Sequence, residues 1–243
     1  MPRTLTRPPQ AGRRRGRRSR IVGVVPRPIG ERPLVESRLP ATLAVVVAIA
    51  LYATLPDELL LGPRYILPIL EAAILVPLTI ARPHRTAGEA GPSRMAAIGL
   101  IGITNVGNIV SLVLLVHNLL VQGGQITGRT LLFSAIQIYL TNVIIFGLWY
   151  WELDAGGPAR RLGGAPGDPD FLYPQMNMAA RAPAEWRPAF VDYLYISLTN
   201  ATAFSPTDTL PLTHRAKALM GLQSLASLLT VALVAGRAVN ILH

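Results

Sequence analysis

The chain has 243 residues, 51% of them hydrophobic and only 15% charged, with a formal net charge of +10. That balance and a mean hydropathy of +0.39 favour a membrane protein over a soluble one. There is no cysteine, which excludes disulfides, thiolate metal centres and cysteine nucleophiles.

Eleven of the 23 Lys and Arg residues precede Pro40, among them Arg13, Arg14, Arg15, Arg17, Arg18 and Arg20. This Arg/Pro-rich lead has no hydrophobic period and too little apolar surface to fold. Residues 1–36 are therefore predicted to be a disordered tail, and 37–243 a polytopic helical membrane domain. The apolar run lies far from Met1 and no small-residue cleavage site follows it, so it does not read as a signal peptide. Two uses of the charge stay open: orienting the chain during insertion, or attraction to anionic lipid. No aromatic residues interleave to stack bases, so nucleic acid is not an expected partner.

Five apolar stretches follow, at about 39–55, 66–81, 95–121, 130–151 and 216–235. A crossing needs about 20 mainly apolar residues, so the first two are marginal and the last three long enough. Their apolar character runs all round the helix instead of along one stripe. The predicted fold is an all-α membrane protein with about five transmembrane helices and one short re-entrant half-helix at about 192–204.

The second stretch carries Glu71 between Pro68 and Pro77, the only acid inside a predicted span. An intramembrane carboxylate faces either a wet cavity, where it handles protons or cations, or a satisfying neighbour such as Asn or Arg. In the third stretch Asn105, Asn108 and Ser111 share one face with some drift, beside Thr104. That face either lines a polar pathway or hydrogen-bonds helices together, and Gly99, Gly102 and Gly107 favour packing. His117 has no second ligand at helical spacing, so it is a weak metal or pH-sensing signal. Gln137, Asn142, Gln223, Ser224 and Ser227 carry the same ambiguity between lining and packing.

The run Trp149-Tyr150-Trp151-Glu152-Leu153-Asp154 closes the fourth stretch. It reads as an interfacial anchor, with rings at the headgroups and carboxylates in water. It also resembles a signature of actinobacterial integral membrane proteins, which implies no particular activity. The connection at about 152–189 is rich in Gly and Pro and is expected to be irregular at its start.

The C-terminal part has a distinctive order. Asp192-Tyr193-Leu194-Tyr195-Ile196-Ser197-Leu198 reads as a short half-buried helix. A polar turn follows, containing Thr199, Asn200, Thr202, Ser205 and Asp208, then Pro211, Thr213 and a long apolar helix. This resembles the pore helix, filter and inner helix of the potassium-channel superfamily. Asp and Tyr-x-Ser open the pore helix, and Asp208, Pro211 and Thr213 match an Asp-x-x-Pro-x-Thr pattern after the filter. Gln223 stands where many such channels carry Glu, and Arg237 where an Arg often ends the inner helix. The resemblance covers about a fifth of the chain, and the five filter positions hold Ala203-Phe204-Ser205-Pro206-Thr207. Both filter glycines are missing, and Pro206 restricts itself and Ser205, so carbonyls cannot line up as a potassium filter requires. The resemblance implies a channel-like, filterless pore region, tetrameric if the four-fold arrangement of its relatives persists. It would place Asn200, Thr202 and Asp208 nearest the axis. Ser205-x-x-Asp208 also fits a capping box and Thr213 a helix N-cap.

With five spans and an internal N-terminus, 20 basic residues fall inside and 3 outside. The channel resemblance implies the opposite orientation, and a sixth crossing would reconcile the two. Enzyme signatures such as H-E-x-x-H, a P-loop or G-x-S-x-G are absent. No catalytic residue, metal or cofactor is expected. The sequence points to a multi-pass protein of the cell membrane with a cytoplasmic N-terminus, either a weakly selective ion channel or transporter, or a non-conducting scaffold that binds lipid or a partner.

Overall fold

The computed structural model describes residues 35–81, 84–86, 91–120, 127–162, 167–177, 186–203 and 208–241. Residues 1–34 of the predicted tail, and Ser205 of the polar turn, lie outside the described residues.

Among the described residues eight α-helices carry the fold. They are α1 (Leu39–Ala53), α2 (Ile66–Ala81), α3 (Gly91–Leu120), α4 (Gly128–Leu153), α5 (Pro158–Leu162), α6 (Pro174–Asn177), α7 (Phe190–Ala203) and α8 (His214–Ile241). The five predicted apolar runs fall in α1, α2, α3, α4 and α8, with α3 starting earlier, at Gly91, and α8 running on to Ile241. Two small antiparallel pairs depart from the all-α expectation. β1 (Val35–Ser37) pairs with β2 (His84–Thr86), and β3 (Phe171–Leu172) with β4 (Leu210–Pro211). Each ties connecting segments together where no helix is available to satisfy backbone groups.

Among the described residues three helices are long and apolar enough to cross a bilayer: Gly91–Leu120, Gly128–Gly156 and His214–Gly236. Helices α1 and α2, at 15 and 16 residues, are shorter apolar helices. Large aliphatic and aromatic side chains face outward from every one of these helices, among them Leu43, Ile69, Val113, Phe133 and Leu225. Soluble monomers rarely expose so much contiguous apolar surface, so hydrocarbon is the solvent this exterior fits.

Helix α4 is the hub, packed against α1, α3, α7 and α8, while α2 packs on α3 and α1. Two glycines permit the closest approaches. A Cβ on Gly147 would stand 3.2 Å from the Leu194 Cα, so α7 lies directly against the α4 backbone. Gly107 on α3 leaves room for the Leu67 and Tyr52 side chains.

Chain direction follows from the contacts. Glu36, just before α1, accepts a hydrogen bond from the Trp151 indole at the C-terminal end of α4 (2.9 Å). Thr54, just after α1, accepts one from Gln137 in the N-terminal half of α4 (2.8 Å). Arg94 near the start of α3 lies 3.5 Å from Glu152. The starts of α1 and α3 and the end of α4 therefore share one end of the bundle. The α1–α2 connection packs Leu55, Leu59 and Leu60 against Leu112 and Leu115 of α3, at the opposite end. There Arg64 pairs with Asp57 at 2.8 Å and donates to the Ala53 carbonyl, closing the C-terminus of α1.

Candidate functional site

The polar residues of α7 and α8 meet inside the protomer. Gln223 is fully buried and uses its whole amide. Its Oε1 accepts from the Tyr150 hydroxyl (2.6 Å) and from Asn200 Nδ2 (2.9 Å). Its Nε2 donates to the Ser197 carbonyl (2.9 Å) and to Ser197 Oγ (2.6 Å). Ser197 Oγ donates onward to the Val143 carbonyl of α4, and Asn200 also donates to the Met220 carbonyl. Nearby, Asn142 donates to Ser227 across α4 and α8 (2.9 Å). These groups join three helices, and each donor finds an acceptor.

The remaining turn residues lie elsewhere. Thr199 folds its hydroxyl back to the Tyr195 and Ile196 carbonyls of its own helix. Thr202 is exposed, bonds back to Leu198 and touches the Tyr139 hydroxyl at 3.1 Å. Asp208 is exposed. The structure thus brings Asn200 and Gln223 together, with Thr199, Thr202 and Asp208 outside their network. Thr213 does cap α8, accepting from the Ala216 N–H at 3.2 Å.

A second constellation clasps the end shared by α4, α7 and α8. Asp154 follows the last turn of α4, where Ala155, Gly156 and Gly157 all take positive φ (51°, 84° and 99°). Glycine tolerates that backbone, and it turns the chain sharply out of the helix. The Asp154 carboxylate accepts from the Asp170 N–H (2.7 Å) and the Tyr193 hydroxyl (2.6 Å). Asp170 in turn receives Arg215 Nε at 2.6 Å, a second Arg215 nitrogen, Thr213 and the Ala155 N–H. Arg161 donates to the Trp151 and Asp154 carbonyls and lies over the Tyr193 ring.

This clasp corrects the reading of the Trp149–Asp154 run. Tyr150, Trp151, Glu152 and Asp154 are all buried. The rings pack against Phe171 and Phe190 instead of lying at the headgroups, and the carboxylates are out of water. The connection beyond Asp154, expected to be irregular at its start, forms α5 with Pro158 at its first position. Its segment around Phe171 folds back as a lid over α4. Sequence reasoning missed Asp154, Arg161, Asp170, Tyr193 and Arg215 as a unit. The one local signal was a pair of acids flanking a Gly/Pro-rich connection in an acid-poor chain.

Burial alone would raise the Asp170 carboxyl, but the hydrogen bonds and charge of Arg215, with Thr213 and the Ala155 N–H, outweigh it and hold the group below its ordinary value of 3.8. A carboxyl depressed in the folded state adds stability above its unfolded pKa and loses it as pH falls through the folded one. Thermal unfolding in detergent from about pH 5 to pH 2 is expected to lose stability below about pH 4 in the parent, with a flatter acid limb in Asp170→Asn. Parallel curves for the two proteins would refute this assignment.

The third constellation surrounds Glu71. The residue is 1% exposed, and neither carboxylate oxygen has a hydrogen-bond partner. Thr104 lies beside it, but that hydroxyl proton is committed to the Leu100 carbonyl at 2.9 Å. Tyr52 is within electrostatic reach and accepts from the Leu61 N–H. On α3 the buried polar residues are Thr104, Asn108, Ser111 and Asn118, with Asn105 only half-buried at the margin. His117 is exposed. Among the described residues no group of three His, Asp or Glu is arranged to hold a metal ion.

No protein-family model, curated protein or solved structure matches this chain.

Proposed function

We propose that the chain is a multi-pass protein of the cell membrane, with α1, α2, α3, α4 and α8 crossing and α7 dipping in as a re-entrant half-helix. In this reading it is a weakly selective ion channel or transporter, assembled as a homo-oligomer around the α7–α8 turn. The observation that supports it is the course of α7. The helix starts at the clasped end, where Tyr193 meets Asp154, and stops beside Tyr139 near the middle of α4. The chain is back at the clasped end by Leu212, whose N–H donates to the Asp170 carbonyl (2.8 Å). A half-helix whose chain is back at the same end before a full-length helix begins has the order of a pore module. The filter glycines are missing, so the reading does not include potassium selectivity.

Arg38, Arg94, Arg161 and Arg215 gather at the clasped end, which supports a cytoplasmic N-terminus and an external C-terminus. In this reading anionic headgroups would attract the Arg-rich sequence that precedes Pro40.

A second reading is favoured by a different observation. The Gln223 network is hydrogen-bonded within one protomer, as expected of a rigid scaffold whose polar residues hold helices together. Liposome flux with purified full-length protein separates the two. A conduit passes small ions above the level of empty vesicles; a scaffold does not, although it stays folded and oriented. A reporter fused at His243 tests the crossings: an external C-terminus is expected, and an internal one rejects the five-crossing arrangement.

A further inference from the structure

Glu71 stands apart from the α7–α8 module, on a helix that packs on α3 and α1. Its carboxylate is in an environment that cannot support a bare charge. No Lys, Arg or His occurs in α1, in α2, or in α3 between Met95 and Val116. The titratable group facing it from α1 is Tyr52, and α3 presents Thr104, Gly107 and Asn108, none of which titrates. The α1–α2 connection carries Asp57, Glu58 and Arg64, of which Asp57 and Arg64 are paired with each other.

A metal cation needs several oxygens, and helical carbonyls here are committed to their own ladders. A proton needs only the carboxylate itself. The neutral acid is the form that burial without a partner favours.

Polar groups on α3 offer that proton a route. Thr104, Ser111 and Asn118 are spaced seven residues apart, which keeps them on one face of α3 with slight drift. All three are buried. Ser111 Oγ and Asn118 Oδ1 are, like the Glu71 oxygens, without hydrogen-bond partners. Buried polar atoms in that condition are ordinarily met by ordered water. The line runs from the depth of Glu71 towards the C-terminal end of α3, the end that carries the α1–α2 connection.

We propose that Glu71 is a reversible proton-binding site inside the bundle, reached from the end of the α1–α2 connection by a hydrated track along the Ser111–Asn118 face of α3. In the step, a hydronium ion arriving along the track gives its proton to a Glu71 carboxylate oxygen, leaving water and the neutral acid. The reverse step restores the carboxylate. This site does not depend on anything passing the α7–α8 turn, so failure of the flux experiment leaves it standing.

The test is infrared difference spectroscopy on full-length protein in lipid nanodiscs. At neutral pH the parent is expected to show the carbonyl stretch of a protonated carboxyl, lost at strongly alkaline pH and absent in Glu71→Gln. Ser111→Val is expected to keep the band and slow its exchange in heavy water. Should Glu71→Gln not fold, a hydrophobic carbodiimide, which modifies protonated carboxyls, is expected to label Glu71 of the parent at neutral pH and not at alkaline pH. No band and no labelling in the parent at neutral pH would overturn the site. Loss of the band on adding sodium at constant pH would replace the proton with a cation. Exchange in Ser111→Val at the parent rate would overturn the track.

Discussion

Replacing Gln223 with Ala is expected to cost about 2–4 kcal/mol, measured as a loss of thermal or denaturant stability in detergent. The substitution removes four hydrogen bonds at once and strands the Tyr150 hydroxyl, one Asn200 proton and the Ser197 carbonyl in a dry interior. Interhelical hydrogen bonds in lipid average only about 0.6 kcal/mol each, because the unfolded chain in the bilayer also finds partners. Orphaned groups and the vacated volume raise the total. Gln223→Glu sharpens the test. A carboxylate can still accept from Tyr150 and Asn200, but it has no proton for the Ser197 carbonyl, 2.9 Å away in the parent. Glu is thus expected to destabilise although it is nearly isosteric. A stable, well-folded Gln223→Glu protein would show that the network does not act as described.

Gly147→Val is expected to cost about 3 kcal/mol, and Gly147→Ala about 1 kcal/mol. The Cβ of Ala would already stand 3.2 Å from both the Cα and the Cδ1 of Leu194. A side chain can rotate away from such a contact, but a helix backbone must move as a body. The branched Val therefore pushes α7 off α4, and Ser197 and Asn200 move with it. Both substitutions then act on the docking of α7, so Gly147→Val combined with Gln223→Ala should cost less than the separate losses added together. Simple additivity would mean that the α4–α7 contact and the Gln223 network are independent.

The helices were legible because hydrocarbon imposes a simple rule on them. The mainly apolar runs predicted at 39–55, 66–81 and 95–121 can satisfy their backbones in hydrocarbon only as helices, and the observed helices are Leu39–Ala53, Ile66–Ala81 and Gly91–Leu120. Helix α7 was legible for the complementary reason, being too polar and short for a full crossing. The Trp149–Asp154 run misled because aromatic rings beside carboxylates look alike whether they meet headgroups or a protein lid. The lid is made by Phe171 and Tyr173, about 20 residues downstream, and no periodic signal announces it. Among site residues, Glu71 stood out as an acid within an apolar run, and Asn200 and Gln223 by their places in the channel-like order of the C-terminal part. The sequence could not tell that Gln223 would be saturated and Glu71 left without a partner, since that depends on which donors neighbouring helices bring.

The clasped end has an optical consequence. All three tryptophans of the chain, Trp149, Trp151 and Trp186, belong to it. Intrinsic fluorescence is therefore a local gauge of that end. It will register loosening of the lid over α4 and, through the Trp151–Glu36 hydrogen bond, movement of the start of α1, whereas the α1–α2 connection at the opposite end needs a chromophore of its own.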